Sequence, residues 1–278
     1  MGYKTILVHC DADPKVAYRL AIAVELAKRH DAHLVGVYIQ EPFEAPALLN
    51  GAAATGKLFT LFEETAQANL AAAKAAFAKA VKGTELLTEW RSDDGYMDAR
   101  LPLHARYADL LVLGQPDPGA PSFVPLDLPE TMALSTGRPI LVVPKVGAPA
   151  ECGNTIMLCW NASRESARAA SDALPLLKTS SKVIVLCVDP RSSNYGHGAE
   201  PGADVAAWLA RHGVKATVQR DVASDGDVGN AILSRASDHE ADLIVMGLYG
   251  HSRLREMVLG GASRTLLASM TVPVLMSH

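Results

Sequence analysis

The 278-residue sequence predicts an α/β protein made of two tandem units, each a five-stranded parallel sheet with helices on both faces. Three observations predict it. Short apolar runs alternate with longer helical patterns along the whole chain, as strand–helix–strand crossovers require. The runs are apolar nearly throughout, as in strands buried on both faces. The pattern then occurs twice: Ala108-Asp109-Leu110-Leu111-Val112-Leu113-Gly114 returns as Ala241-Asp242-Leu243-Ile244-Val245-Met246-Gly247. Downstream, Thr131, Ser135, Pro139 and Leu141 match Thr265, Ser269, Pro273 and Leu275 at one constant offset.

The elements follow in order. The first unit opens on Thr5-Ile6-Leu7-Val8-His9-Cys10-Asp11 and the second on Thr155-Ile156-Met157-Leu158-Cys159-Trp160-Asn161. Helical patterns cover 14–30 and 163–178, followed by strands at 32–39 and 182–188. A looser stretch, Gln40 to Gly56, precedes an alanine-rich helix over 58–82, read as a core-packing helix. The second unit has a shorter loop, Arg191 to Gly202, and a shorter helix over 203–212. Strands at 85–91 and 214–220, helices at 97–107 and 227–239, the Gly-ended strands, a loop, a helix and closing strands at 139–143 and 273–277 complete the two sets. The Pro- and Gly-rich run Pro144-Lys145-Val146-Gly147-Ala148-Pro149-Ala150 reads as the joint, giving units over 1–146 and 147–278.

Composition excludes several functions. Hydrophobic residues at 49% and charged residues at 20% supply a core and argue against disorder. With 26 basic and 30 acidic residues, and a net charge of −4, no nucleic-acid partner is expected. No apolar run approaches the roughly 20 residues that span a bilayer, so no membrane partner is expected. The chain enters a strand at once, without the charged and apolar segments of a secretory signal. Cys10, Cys152, Cys159 and Cys187 form no CxxC pair and read as reduced thiols, placing the protein in the cytoplasm.

One constellation carries chemistry. Residues 247–263 read Gly-Leu-Tyr-Gly-His-Ser-Arg-Leu-Arg-Glu-Met-Val-Leu-Gly-Gly-Ala-Ser. Glycine at a strand end lets the backbone turn sharply and lets a ligand come close. The free N–H groups of the next helix start, and concave runs of amides, favour an anion such as phosphate. Plain turn chemistry explains the same glycines equally well. Walker A and the Gly-x-Gly-x-x-Gly fingerprint are absent, which argues against a P-loop NTPase and a dinucleotide-binding domain. The histidines are scattered and no metal site is expected. His9 and Asp11 fall on one side of a strand, with Cys10 on the other. His251, Arg253 and Arg255 read as loop residues that either face an anion or water.

The strand–Gly-x2-Gly-x9-Gly run, closed by Thr271-Val272-Pro273-Val274-Leu275-Met276, resembles the universal stress protein family, and the duplication is similar to its tandem members. The resemblance implies two adenine-nucleotide α-hydrolase-like domains, many relatives binding ATP, others AMP or no nucleotide. It implies a nucleotide site in the C-terminal unit at Cys159, Trp160, Asn161, Val188, Met246, Gly247, Gly250, Gly260, Gly261, Ala262 and Ser263, with Mg2+ present only alongside ATP. Two positions depart from the family. Gly261 stands where Ser or Thr is expected, and Asn161 where an Asp is expected, so a hydroxyl contact and a charge are missing. Trp160 either stacks on a base or fills the pocket, filling being favoured. In the first unit Asp11 is present, but Gly114-Gln115-Pro116-Asp117-Pro118-Gly119-Ala120-Pro121 loses the glycine spacing, so no triphosphate is expected there.

The expected function is therefore a cytoplasmic nucleotide-binding stress-response protein with no catalytic residues, capable at most of slow ATP hydrolysis. The alternative is a nucleotide-free interaction module working through protein partners not identified by sequence. The two units are expected to pack face to face as a pseudo-dimer through 139–143 and 273–277. A homodimer of the whole chain is also compatible.

Overall fold

The computed structural model describes residues 2–43, 52–117, 124–147, 151–190, 199–248 and 261–278. The first half runs β1 (Thr5–His9), α1 (Val16–His30), β2 (His33–Gln40), α2 (Ala52–Val81), β3 (Thr88–Asp94), α3 (Met97–Ala105), β4 (Leu110–Gly114), α4 (Leu128–Thr136), β5 (Ile140–Val143). The second runs β6 (Thr155–Cys159), α5 (Arg164–Asp172), α6 (Leu174–Leu177), β7 (Lys182–Val188), α7 (Ala203–Arg211), β8 (Ala216–Asp221), α8 (Val228–Asp238), β9 (Leu243–Gly247), α9 (Ala262–Ser269), β10 (Val274–Ser277).

All ten strands form one sheet in the order β3-β2-β1-β4-β5-β10-β9-β6-β7-β8. Pairing is parallel within each half. The halves meet where β5 and β10 pair antiparallel, Leu141 opposite Leu275. The sequence points to these two strands, but the joint is edge to edge rather than face to face. Strand edges carry unpaired N–H and C=O groups, and pairing them satisfies both rows at once.

Strand residues alternate between two cores. Ile6 and Val8 face one apolar cluster and Leu7 the other. Each cluster draws on both halves: Leu158 and Leu275 join Ile6, while Met157 and Met276 join Leu7. The repeated Asp has a structural task. Asp109 Oδ2 accepts the amides of Lys4 and Thr5 at 2.7 and 3.0 Å, tying β4 to the start of β1. Asp242 does the same for β9 and β6, accepting Gly153, Asn154 and Thr155 amides at 2.9, 2.9 and 3.0 Å.

Three elements differ most from expectation. Helix α2 starts at Ala52, six residues before the predicted 58 and inside the stretch read as loose, because the small residues Ala52, Ala53 and Ala54 are good helix formers. The helix predicted over 163–178 breaks at Ala173 into α5 and α6. Pro175 lies in the first turn of α6, the one place where a missing N–H costs no helical bond. Strand β3 starts three residues later than predicted, because its register is set by β2, with Leu34 opposite Thr88. The apolar Leu87 that drew the prediction earlier is 77% exposed.

Candidate functional site

In each half the winding reverses between the first and fourth strands, so β1 and β4, and β6 and β9, open a crevice at their carboxyl ends. In the second half the chain leaves β6 through Trp160 and Asn161. Asn161 Oδ1 accepts the Ser163 amide at 3.2 Å, and Ala162 takes a left-handed φ of 59°. Ser163 then caps α5, its Oγ accepting the Ser166 amide at 3.1 Å. Asp11 repeats this turn in the first half, its Oδ1 accepting the Asp13 amide at 3.0 Å. The residue at this position is therefore a turn-former in both halves, whether Asp or Asn.

Of the residues expected to hold nucleotide, several come together at this crevice. Cys159 ends β6, and Met246 and Gly247 end its neighbour β9, beyond the Leu158–Val245 pair. Val188 ends β7, next along the sheet. Trp160 is half-buried against the core, and burial pushes the Cys159 thiol up to about 12. A Cβ on Gly247 would lie 2.5 Å from the Glu165 carbonyl carbon and 2.6 Å from the Ser166 nitrogen. What presses on this glycine is thus the backbone of α5. Gly261 precedes α9 without a side-chain cap. Ser263 is 5% exposed, and the amides of Ala262 and Ser263 have no acceptor among the described residues. Gly250, Gly260, His251, Arg253 and Arg255 lie outside the described residues.

The first half is built differently. Arg19, on the buried face of α1 and 6% exposed, places Nη2 2.6 Å from Asp11 Oδ1. Its guanidinium lies against Gly114, where a Cβ would collide with Nη1. Burial pushes the Asp11 carboxyl up, but the Arg19 charge, His9, the Arg19 hydrogen bond and the Asp13 amide outweigh it and hold the group below its ordinary value. Asp117, from the proline-rich loop, accepts Lys15 Nζ at 2.5 Å and Lys145 Nζ at 3.0 Å. His9 is 2% exposed, and burial, with the Arg19 charge, lowers its imidazole to about 4 against a weaker opposing pull from Asp11.

Beside this cluster lies a cavity of about 950 Å³ between the carboxyl ends of β1 and β2, helix α2 and the starts of α3 and α4. Sequence reasoning missed both Arg19 and the cavity. The signal for Arg19 was present: it sits three residues after Val16 and four before Ala23, on the face that packs inward. The cavity had no local signal, because its walls come from five separate segments. Among the described residues no cluster of three metal-binding side chains occurs, and no helix is long and apolar enough to cross a membrane.

The geometry defines a class: a tandem adenine-nucleotide α-hydrolase-like fold with two unequal crevices on one sheet. The sequence profile of the Universal stress protein family matches residues 2–143 and 154–278, and the chain belongs to that family. Among solved structures, a universal stress protein from Archaeoglobus fulgidus superposes with a TM-score of 0.71 at 15% identity, over 98% of this chain and 95% of that one. One described as a putative universal stress protein from Pseudomonas aeruginosa gives 0.60 at 16% identity, over 99% and 93%. At these identities the likeness is one of fold. A universal stress protein of Synechocystis is 38% identical over 50 residues, 18% of this chain and only 17% of that protein's length.

Proposed function

We propose that the chain binds an adenine nucleotide, ATP before others, in a C-terminal domain over 147–278, and that the domain over 1–146 does not bind triphosphate. Nucleotide occupancy shifts the chain between conformations that differ in their protein partners, a homodimer of the chain included, and serves a cytoplasmic stress response rather than fast chemistry. Mg2+ accompanies the ligand only where that ligand is ATP. The observation that carries this reading is the start of α9. The Ala262 and Ser263 amides lack acceptors among the described residues, at the start of the helix that follows β9, where an anion gains both hydrogen bonds and the helix dipole. Ser263, buried at the same turn, adds a hydroxyl where Gly261 supplies none. In the first half the cations beside the crevice are already paired: Arg19 with Asp11, Lys15 and Lys145 with Asp117.

The test is to purify the full chain, denature it, and identify released nucleotide by chromatography. About one equivalent of adenine nucleotide is expected, together with a thermal shift on adding ATP that Ser263→Ala weakens. A blank release with no ATP shift would instead support the nucleotide-free interaction module, which the uncharged Asn161 favours.

A further inference from the structure

We propose that the cavity of the first half is a second ligand site, built for an organic cation: an apolar body carrying an ammonium head. Nothing in this proposal depends on nucleotide binding by the other half. The cavity, about 950 Å³, is at the upper end of small-molecule pockets. Its walls are largely apolar, with Ile39, Phe43, Phe62, Met97 and Leu128 among them. Such a space gains from excluding water, which sets the body of the ligand.

The polar groups set its head. Five carboxylates line the cavity, Asp11, Asp13, Glu41, Asp98 and Asp127, and no lysine or arginine does among the described residues. Asp11 is neutralised by Arg19 at 2.6 Å. The other four form no ion pair among the described residues. An anion entering here would meet like charge on several sides, whereas an ammonium would be attracted from each. His9 adds an independent observation. Its side chain lines the cavity, is 2% exposed, and makes no hydrogen bond to any described residue. A buried imidazole with no partner among the described residues keeps an open acceptor toward the cavity, and a ligand N–H supplies what it lacks.

Asp117 explains why phosphate is not the cargo. Its carboxylate lies between Lys15 and Lys145 at 2.5 and 3.0 Å, so the loop after β4 brings its own anion to the cations nearby. The half that lost its glycine spacing is thereby turned from an anion cradle into a cation receptor.

The experiment uses the intact chain with tryptamine and hexylamine as probes, against the shape-matched acids indole-3-propionate and hexanoate. Calorimetry and thermal shift at neutral pH read the binding. Both amines should bind at least about tenfold more tightly than their acids. Asp98→Asn with Asp127→Asn, both exposed positions, should weaken the amines by about tenfold or more while the fold is kept. Ala66→Trp, which fills the cavity from α2, should abolish amine binding and leave any ATP-induced shift in place. Three results would overturn the proposal: acids binding as well as amines, amine affinity unchanged in the Asn pair or in Ala66→Trp, and no amine binding at millimolar concentration.

Discussion

Replacing Arg19 by Met tests the electrostatic core of the first half. The Asp11 and Arg19 side chains are 13% and 8% exposed, with 2.6 Å between Oδ1 and Nη2. At an effective dielectric of about 20, attraction at that distance is roughly 6 kcal/mol, much of it offset by the solvation both ions give up. Removing one partner leaves the other desolvated and unpaired. Arg19→Met should therefore cost about 3–5 kcal/mol in urea denaturation. Adding Asp11→Asn should recover about half of that loss, because the stranded charge is gone. The pH dependence should change sign. With Arg19 present the folded Asp11 carboxyl sits below its ordinary value of about 3.9, so its stabilisation is full above that value and is lost as pH falls through the folded one. In Arg19→Met burial is opposed only by His9 and the Asp13 amide and raises the carboxyl, so acidification relieves the strain, and the gap between variant and parent narrows toward pH ~4. A cost below about 1 kcal/mol, or a double variant no more stable than the single one, would refute the reasoning.

Other expectations follow from the same structure. Asp242→Ala, which strands three amides, should lower stability by about 2–3 kcal/mol, and Asp109→Ala, which strands two, by less; urea midpoints at constant m-value order them. Gly247→Ala should cost about 1–3 kcal/mol, because its methyl meets the rigid backbone of α5. Gly36→Ala should cost less, since the Phe77 ring it meets can turn aside; paired thermal melts compare the two. Burial holds Cys10, Cys152 and Cys159 at about 12 and Cys187 at about 11, so a thiol reagent at pH ~8 should label the folded chain slowly and all four cysteines at once in denaturant.

The duplicated scaffold was readable in the sequence because each copy repeats the residues that do the same job. Asp109 and Asp242 clamp neighbouring strands, and Asp11 and Asn161 fold the same turn. The strands of the sheet interior were readable from apolar runs alone. At the edges that signal failed, since β3 is half-exposed and its register comes from pairing with β2. The crevice between β6 and β9 was legible in outline, because strand ends and helix starts are local features. The first half's crevice was not. It depends on a helix residue, Arg19, reaching a strand end, and on a wall contributed by α2; helical spacing shows that Arg19 faces inward, but neither its partner Asp11 nor the α2 wall is written in short-range spacing.

The antiparallel seam between β5 and β10 has a consequence for any dissected version of the chain. Each half serves as the other's bandage: severed between residues 143 and 155, both fragments would bare a short, largely apolar ribbon of backbone, Ile140–Val143 on one and Val274–Ser277 on the other. Such ribbons find a mate. Fragments expressed singly should clump or couple with themselves, while the two made together should re-knit into one sheet.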